Sequence, residues 1–132
     1  MSTLYITHPL FLSHDTGRTH PEHRVRLEEI NRVLRQDAFH RLVHVQPARA
    51  DDSIITLVHD RDFLQSLQAK MPAQGSVFLD ADTVVSPSSL EAARYAVGAV
   101  CLAIDHVMNG RHVNAFCGMR PPGHHAGPRG VM

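Results

Sequence analysis

Several features that would identify particular protein classes are scarce or absent in this sequence. Lysine plus arginine and aspartate plus glutamate each number 13, so there is no basic excess of the kind that nucleic-acid or membrane-surface binding requires. No apolar run is long enough to span a membrane, and the first residues lack the pattern of a signal peptide. Cys101 and Cys117 lack Cys-x-x-Cys spacing, and we expect two reduced core thiols in a cytoplasmic protein.

Histidine, in contrast, is abundant, with 11 residues in a chain of 132. Apolar residues make up 43% of the chain, which is normal for a folded soluble protein, so the histidines do not belong to a low-complexity tract. The length suits one domain with a single core. The sequence therefore raises the question of what its histidines do.

Strand-like and helix-like patterns alternate along the chain. Runs rich in β-branched and apolar residues predict strands, and apolar residues at helical spacing predict amphipathic helices. The predicted elements are a strand over 4–7, a polar loop over 8–20, a helix over 22–36, a strand over 42–45, a short helix from Asp51 or Asp52 through Leu57, a helix over 60–70, an apolar run over 77–79, a loop over 80–83 and a strand over 113–117. This alternation predicts an α/β fold with a mostly parallel sheet.

The clearest predicted element is a long helix that ends at Asn109-Gly110. The sequence Ser-Ser-Leu-Glu at 88–91 fits a capping box, in which a serine hydroxyl and a glutamate carboxylate satisfy free N–H groups. Every residue from Tyr95 to Ile104 is apolar or glycine, so we expect this helix to be buried on most sides. Its small residues, Gly98 among them, allow a neighbouring element to approach closely.

The segment from Gly118 to Gly127 carries the residues that suit chemistry. Ligand sites in open α/β sheets form beyond the carboxyl ends of strands, and this segment follows the last predicted strand. Two prolines and a glycine at 121–123 prevent regular strand pairing, so His124 and His125 are free to face the same cavity. Histidine changes charge near neutral pH, so such a pair suits proton transfer. A bare pair of loop histidines is also compatible with exposed residues that have no function or with an incidental metal contact.

The string Arg-Pro-Pro-Gly-His-His-Ala at 120–126 resembles the histidine-dyad motif of the histone deacetylase family, which includes acetylpolyamine amidohydrolases and acetoin-utilisation proteins. The string His-Pro-Glu at 20–22, followed by Arg26, resembles that family's first helix, although the family commonly has a proline where Arg24 stands. The sequence over 80–98 also resembles the family's pattern. The resemblance implies that residues 1–132 are the amino-terminal portion of a single domain with a three-layer α/β/α arginase/deacetylase-like fold.

The resemblance also implies an activity, the zinc-dependent hydrolysis of acyl amides such as acetyl-lysine or acetylated polyamines. A zinc ion would polarise the acyl carbonyl and lower the pKa of a water. His125 resembles the histidine that takes the proton from this water and returns it to the leaving amine. His124 resembles its deeper partner, which helps to hold the water and which a carboxylate would orient.

Further residues receive binding roles from the same resemblance. Asp82 resembles a rim aspartate that accepts hydrogen bonds from substrate backbone amides, and Asp80 is a weaker candidate for that role. Gly123 is assigned to substrate binding, and Arg26 resembles an arginine that lines an inner cavity. Loop solvation of the two aspartates and a surface ion pair of Arg26 are the structural alternatives.

The zinc ligands of the resembled family, an Asp-x-His pair and a second aspartate, lie downstream of the dyad, as does a tyrosine that stabilises the oxyanion. This chain ends seven residues after His125, so we predict no metal ligands in it and neither stoichiometric zinc binding nor hydrolysis by the 132 residues alone. His8, His14, His20 and His23 could form another metal site. Their spacings of six, six and three do not match a His-x3-His helical pair, which favours loop and cap roles.

Three interpretations therefore stay open. The first is an enzyme acting on a small-molecule or peptide acyl amide, the second a non-catalytic deacetylase-like module that binds a partner chain, and the third a small metal-binding protein. A few strands of a larger parallel sheet leave an open edge and an uncovered apolar helix, which invite pairing. We therefore expect oligomers, poor solubility or association with the remainder of the fold.

Overall fold

The structure is a computed structural model that describes residues 2–131, and its helices and strands alternate along the chain. In chain order the elements are β1 (Thr3–Ile6), α1 (Leu10–Ser13), α2 (Val25–Val33), a 3-10 turn (Asp37–Phe39), β2 (Val43–Val45), α3 (Asp52–Ile55), α4 (Arg61–Ala69), β3 (Val77–Phe78), β4 (Val84–Val85), α5 (Ser89–Met108) and β5 (Asn114–Cys117). Among the described residues, none of the helices combines the length and apolar composition needed to cross a bilayer.

A three-stranded sheet with the order β2-β1-β5 forms the centre of the fold. Both pairings are parallel, and Leu4 in β1 lies opposite Val43 in β2 and Ala115 in β5. Because β1 is flanked on both edges, its residues Leu4, Tyr5 and Ile6 are almost fully buried. The predicted parallel sheet is confirmed, with its three strands within one residue of their expected positions.

Helices cover both faces of this sheet. Successive side chains of β1 point to opposite faces, and Leu4 and Ile6 pack with Phe11 of α1 and with the alanines of α5. Tyr5 points the other way, where its hydroxyl donates to Asn31 Oδ1 of α2 at 2.6 Å and its ring stacks on Phe116. Helix, sheet and helix thus form the three layers that the resemblance implied.

The two halves of α5 differ in burial. Ala92, Ala96 and Ala99 are buried against the sheet and α1. Gly98 lies against the segment before α3, where an added Cβ would come within 1.9 Å of the Ala48 carbonyl oxygen, so the predicted close approach is confirmed. The carboxyl-terminal half, however, exposes 55% of Ile104. Burial on most sides is therefore wrong for that half, because the described residues cover only one of its faces.

Two local expectations at α5 need correction. The Ser88 side chain makes no cap hydrogen bond. Instead, the backbone N–H of Ser86 donates to Ser89 Oγ at 2.7 Å, and the Glu91 carboxylate bonds Arg49 and Arg94 rather than the helix start. The predicted capping box is therefore wrong, because neither the Ser88 hydroxyl nor the Glu91 carboxylate accepts an N–H group at the helix start. Cys101 is also exposed rather than buried, since it lies on the open half of α5, and Cys117 is half-buried; both thiols are free.

The region before β2 contains a helix that the polar-loop prediction missed. Pro9 begins α1, a position where proline is favoured, and Phe11 is fully buried. The next helix, α2, starts at Val25 rather than at residue 22. Its entry residue Arg24 has a φ of −56°, a value that a proline also adopts, so the backbone at this position is compatible with the proline that the resembled family commonly has.

The segment from 77 to 85 forms a hairpin in which β3 and β4 pair antiparallel. Val84 and Val85 are buried, whereas Val77 and Phe78 are exposed. The apolar run at 77–79 and the loop at 80–83 were predicted, but β4 was not, because two residues are too short a pattern to identify a strand. The hairpin places the Asp80–Thr83 turn beside the start of α5.

Candidate active site

The two dyad histidines occupy the middle of a tight turn. The Ala126 backbone N–H donates to the Gly123 carbonyl oxygen at 3.0 Å, so His124 and His125 are the central residues of a four-residue turn. Their ring centroids lie 4.1 Å apart with planes inclined by 51°. Both side chains are exposed in the described chain. The turn therefore brings the two rings side by side at the tip of the loop.

Arg120 fixes the base of this loop. Its side chain is 4% exposed, and its Nε and Nη2 atoms each donate to a Glu22 carboxylate oxygen at 2.7 Å. Nη1 donates to the carbonyl oxygens of Phe11 and His14 at 3.0 and 2.9 Å, and Nη2 also donates to the Glu22 carbonyl at 3.2 Å. These five bonds match the five N–H donors of a guanidinium. The loop is therefore anchored to the first 22 residues by a fully hydrogen-bonded buried cation.

Glu22 joins this anchor to a second buried side chain. His14 lies with Nε2 3.5 Å from Glu22 Oε2, and its Nδ1 is hydrogen-bonded to Ser89 Oγ at 2.7 Å. Burial by itself would raise the pKa of Glu22, but hydrogen bonds and positive charge from His14 and Arg120 outweigh it and lower the pKa to about 2. Glu22 is therefore ionised at neutral pH, and the network links the dyad loop to the start of α5.

A cleft of about 270 Å³ lies next to the dyad loop. Its walls are mainly apolar and come from α3, α4, β4 and α5, and polar groups from the first loop and the hairpin turn border it. The lining side chains include His14, His20, Glu22, Ile55, His59, Phe63, Leu64, Leu67, Met71, Asp82, Val84, Val85, Leu90, Ala93, Val97, Pro121, Pro122 and Gly123. Two of the predicted substrate-binding residues, Asp82 and Gly123, therefore border one cleft.

The two candidate rim aspartates have different surroundings. Asp80 Oδ1 accepts the backbone N–H groups of Asp82 and Thr83 at 2.9 and 2.7 Å, and these bonds lower the pKa of its carboxyl group. The backbone carbonyl of Asp82 accepts His20 Nε2–H at 3.1 Å, while the Asp82 side chain is exposed. The Asp80 carboxylate thus accepts the hydrogen bonds that close the turn, whereas the exposed Asp82 carboxylate takes no part in closing it.

The remaining predicted site residues lie apart from the cleft. Arg26 lies on α2 with an exposed side chain and does not line it, and neither do His124 and His125. The structure therefore brings together Asp82 and Gly123 and, separately, the two histidines. The sequence prediction missed the roles of Arg120 and Glu22, although both lie inside the two strings that carry the family resemblance. The available signal was that each of the two family-like strings contains one charged residue of opposite sign, Glu22 in the first and Arg120 in the second.

The amino-terminal histidines serve local contacts. The Nδ1 atoms of His8, His20 and His23 accept the backbone N–H two residues further on, at 3.2, 3.1 and 3.4 Å. His14 bonds Ser89 and faces Glu22, as described above. Within residues 2–131, no group of three or more His, Cys, Asp or Glu side chains is arranged to hold a metal ion. These residues therefore do not fit a zinc ion by themselves.

Comparisons with known proteins agree on one family. Residues 20–132 match the histone deacetylase domain family. An uncharacterised protein of Synechocystis is 43% identical over 88% of this chain and 39% of its own length. A probable deacetylase of Archaeoglobus fulgidus is 32% identical over 97% of this chain and 36% of its own length. A histone deacetylase-like amidohydrolase of Pseudomonas aeruginosa is 34% identical over 85% of this chain and 29% of its own length.

The fold agrees with these matches. The crystal structure of the HDA15 HD domain superposes with a TM-score of 0.89 at 26% identity, covering 99% of this chain and 39% of that one. The chain thus spans less than two fifths of the length of these relatives. The family match covers most of the sequence, and the superposition confirms the α/β arginase/deacetylase-like fold. This chain belongs to the histone deacetylase family.

Proposed function

We propose that residues 1–132 form the amino-terminal portion of a deacylase domain that hydrolyses acyl amides such as acetyl-lysine or acetylated polyamines. The observation that carries this proposal is the pair of adjacent histidine rings, 4.1 Å apart, on a loop that a buried arginine anchors. Relatives of this chain are described as deacetylases or amidohydrolases. A rigid base and two imidazoles at its tip suit the transfer of protons between water and a leaving amine.

His125 is the proposed proton carrier. It takes a proton from the attacking water and later donates a proton to the amine nitrogen as the acyl–nitrogen bond breaks, so its own charge is restored at the end of the cycle. His124, beside it in the turn, holds the water and tunes the charge of its neighbour. The contact between the two rings supports this pairing, because it places both imidazoles side by side at the tip of one loop.

Substrate binding is assigned to the edge of the cleft. The Asp82 carboxylate accepts hydrogen bonds from amide N–H groups of the substrate, and Gly123 allows the substrate to approach the backbone of the turn. The occupied carboxylate of Asp80 favours Asp82 over Asp80 for this role. Arg26 is the proposed lining residue of an inner cavity, and its exposed guanidinium is available for that contact.

Zinc is the cofactor that the family implies, and residues 2–131 do not form a site for it. We therefore infer that its ligands belong to polypeptide other than these residues, and we assign no step of the reaction to a metal-bound species. The tight turn and its anchor depend on contacts within the described chain, so they form without the metal. The native protein is expected to be cytoplasmic, in keeping with its two free thiols.

The native gene and its protein provide the test. The reading frame after Met132 should encode an Asp-x-His pair, a later aspartate and a tyrosine. The purified native protein should release acetate from an acetyl-lysine peptide or an acetylated polyamine, lose this activity on chelation and regain it with zinc. A protein with the downstream residues but no activity on either substrate class would contradict the proposal.

A non-catalytic module that binds a partner chain is the alternative, and open surfaces favour it. Strand β5 lies at the edge of the sheet with Phe116 47% exposed, and α5 exposes Val100 and Ile104. Unpaired strand edges beside apolar surface invite association. A stop codon directly after Met132 in the native gene, with a stable complex on size exclusion, would favour this alternative over the enzyme.

A further inference from the structure

We propose that the cleft beside the dyad loop is a specificity subsite, which takes an apolar group that the acyl-amide substrate carries next to the residue bearing its acylated amine. An aromatic or branched aliphatic side chain in a peptide is such a group. This inference rests on the proposed deacylase function and deepens it, because it names the class of substrate: acyl amides with an apolar neighbour rather than a polar one.

The cleft lies next to the residues to which substrate binding is assigned. Asp82 and Gly123, the two residues assigned to substrate binding, both line the cleft. Gly123 is also the first residue of the turn that holds His124 and His125. Asp82 and the start of the dyad turn thus both border the cleft, so we infer that a substrate in contact with Asp82 and with the dyad lies along this border. A substituent that such a substrate directs towards the cleft would contact its apolar walls.

Size and chemistry are the second argument. The walls consist largely of Leu64, Leu67, Met71, Leu90 and Val97, and the cleft is open to solvent on one side. Its volume of about 270 Å³ exceeds the roughly 150 Å³ of a cavity that accommodates benzene. Transferring a leucine or phenylalanine side chain from water into such walls favours binding by between about tenfold and a hundredfold.

Hydrogen bonds and an ion pair hold together the elements that surround the cleft. His20 Nε2–H donates to the Asp82 carbonyl, which ties the first loop to the hairpin turn. The Asp60 N–H donates to the Pro128 carbonyl at 3.0 Å, and the Asp60 carboxylate pairs with Arg129, which ties α4 to the end of the dyad loop. A preformed apolar site loses less entropy on binding than one that must close around its ligand.

Two polar atoms in the lining are buried without a hydrogen-bond partner among the described residues. They are Nδ1 of His59 and Oγ1 of Thr83, and both residues border the cleft. Buried polar atoms in folded proteins usually have a partner, either protein, water or ligand. Both atoms are therefore available to a water or to a polar group of a bound substrate, while the apolar walls remain the contact for its apolar substituent.

The test uses the native protein and two peptides that differ only beside the acetyl-lysine, one with phenylalanine and one with serine. The wild type should prefer the phenylalanine peptide by at least about tenfold in kcat/KM. Ala93→Phe fills the cleft from α5 and should lower kcat/KM for that peptide about tenfold while changing the serine peptide less than about twofold. Ala69→Phe, on the exposed side of α4 and outside the cleft, is the matched control and should keep the wild-type preference.

Met71→Ala, which enlarges the same cleft, covers the case in which Ala93→Phe fails to fold; it should also reduce the preference. Equal hydrolysis of both peptides by the wild type, or an unchanged ratio in both cleft variants, would overturn the subsite and leave the deacylase proposal standing. Binding of labelled peptides, followed by fluorescence anisotropy, gives the same ratio without turnover. A protein that hydrolyses neither peptide but binds the phenylalanine peptide more tightly supports the cleft and contradicts the deacylase. Equal binding without hydrolysis overturns both.

Discussion

Arg120 and His125 belong to one loop and lie five residues apart, yet their surroundings differ completely. Arg120 is buried and uses every N–H donor of its guanidinium on acceptors from residues 11–22. His125 is exposed at the tip, and its contact is with the ring of His124. The described chain therefore fixes the start of the loop through five hydrogen bonds, whereas the two histidine rings at its tip remain exposed.

This division separates stability from chemistry. A buried ion pair is sensitive to the loss of either partner, because the remaining charge is left without compensation. An exposed histidine makes few packing contacts, so its replacement changes little of the folding free energy. Substitutions at the base should therefore act on folding and substitutions at the tip on catalysis.

The largest effect is expected at the tip. In the native protein His125→Ala should lower kcat for an acetyl-lysine peptide by about 10²-fold to 10⁴-fold, since it removes the proposed general base. The melting temperature should change by less than about 2 °C, because the side chain is exposed. Steady-state kinetics and differential scanning fluorimetry measure the two quantities.

His40→Ala is the matched control, since His40 is an exposed histidine outside the dyad loop, and it should retain wild-type kcat. A variant at position 125 that keeps its activity would remove His125 from the mechanism. If His125→Ala instead melted well below the wild type, the tip of the loop would also contribute to stability, and the division between a stabilising Arg120 and a catalytic His125 would be wrong.

The next largest effect, on the free energy of unfolding, is expected at Arg120, where the dyad loop starts. Arg120→Met keeps much of the apolar volume but leaves Glu22 buried without its cation, and it should lower the free energy of unfolding by about 3–5 kcal/mol. Arg32→Met removes an exposed arginine–glutamate pair, in which the Arg32 and Glu29 side chains are 62% and 57% exposed, and it should lower the free energy of unfolding far less than Arg120→Met does. Urea denaturation of the two native variants compares them directly, and equal losses would contradict the special status of Arg120.

The same comparison explains how much the sequence could predict. The break in strand pairing before the dyad is encoded locally and was predicted, because two prolines and a glycine directly precede the histidines, whereas the tight turn itself was not predicted. The anchor joins residues 98 positions apart, and no local pattern identifies such a pair. Glu22 and Arg120 stand in the two motifs of the family resemblance, but only folding shows that they meet.

The fold shows a similar limit. The three strands of the parallel sheet were predicted because each is a run of β-branched or apolar residues, and burial from both sides favours such runs. Helix α1 was missed because one turn of helix, Leu10–Ser13, has no period of its own. It is held by the burial of Phe11 against α5, which is a tertiary contact. The exposed half of α5 was predicted to be buried because of its apolar composition, and residues 2–131 cover only one of its faces.

The stability that Glu22 contributes beside Arg120 should depend on pH. Glu22 has a pKa of about 2 in the fold against an ordinary value of 4.5, so it contributes stability above about pH 4.5 that is lost as the pH falls towards 2. The full difference corresponds to about 3 kcal/mol, and the side chain is only 16% exposed. The gap in unfolding free energy between wild type and Glu22→Gln should therefore narrow between pH 5 and pH 3. Glu29→Gln, on the surface, should show little change over this range, and a gap for Glu22→Gln that stays constant would exclude Glu22 as the titrating group.

The smallest expected effect concerns the two aspartates of the hairpin turn, which repeat the contrast between base and tip. Asp82→Ala should raise KM for an acetyl-lysine peptide about tenfold with little change in kcat, because the lost hydrogen bonds involve substrate amides away from the reacting bond. An acetylated polyamine lacks backbone amides, so its KM should stay within about twofold. Asp80→Asn keeps an oxygen that can accept the N–H groups of Asp82 and Thr83, and it should leave both KM values unchanged. The reverse pattern, with Asp80→Asn affecting the peptide and Asp82→Ala not, would assign substrate recognition to the residue that closes the turn and would remove the distinction between the two carboxylates.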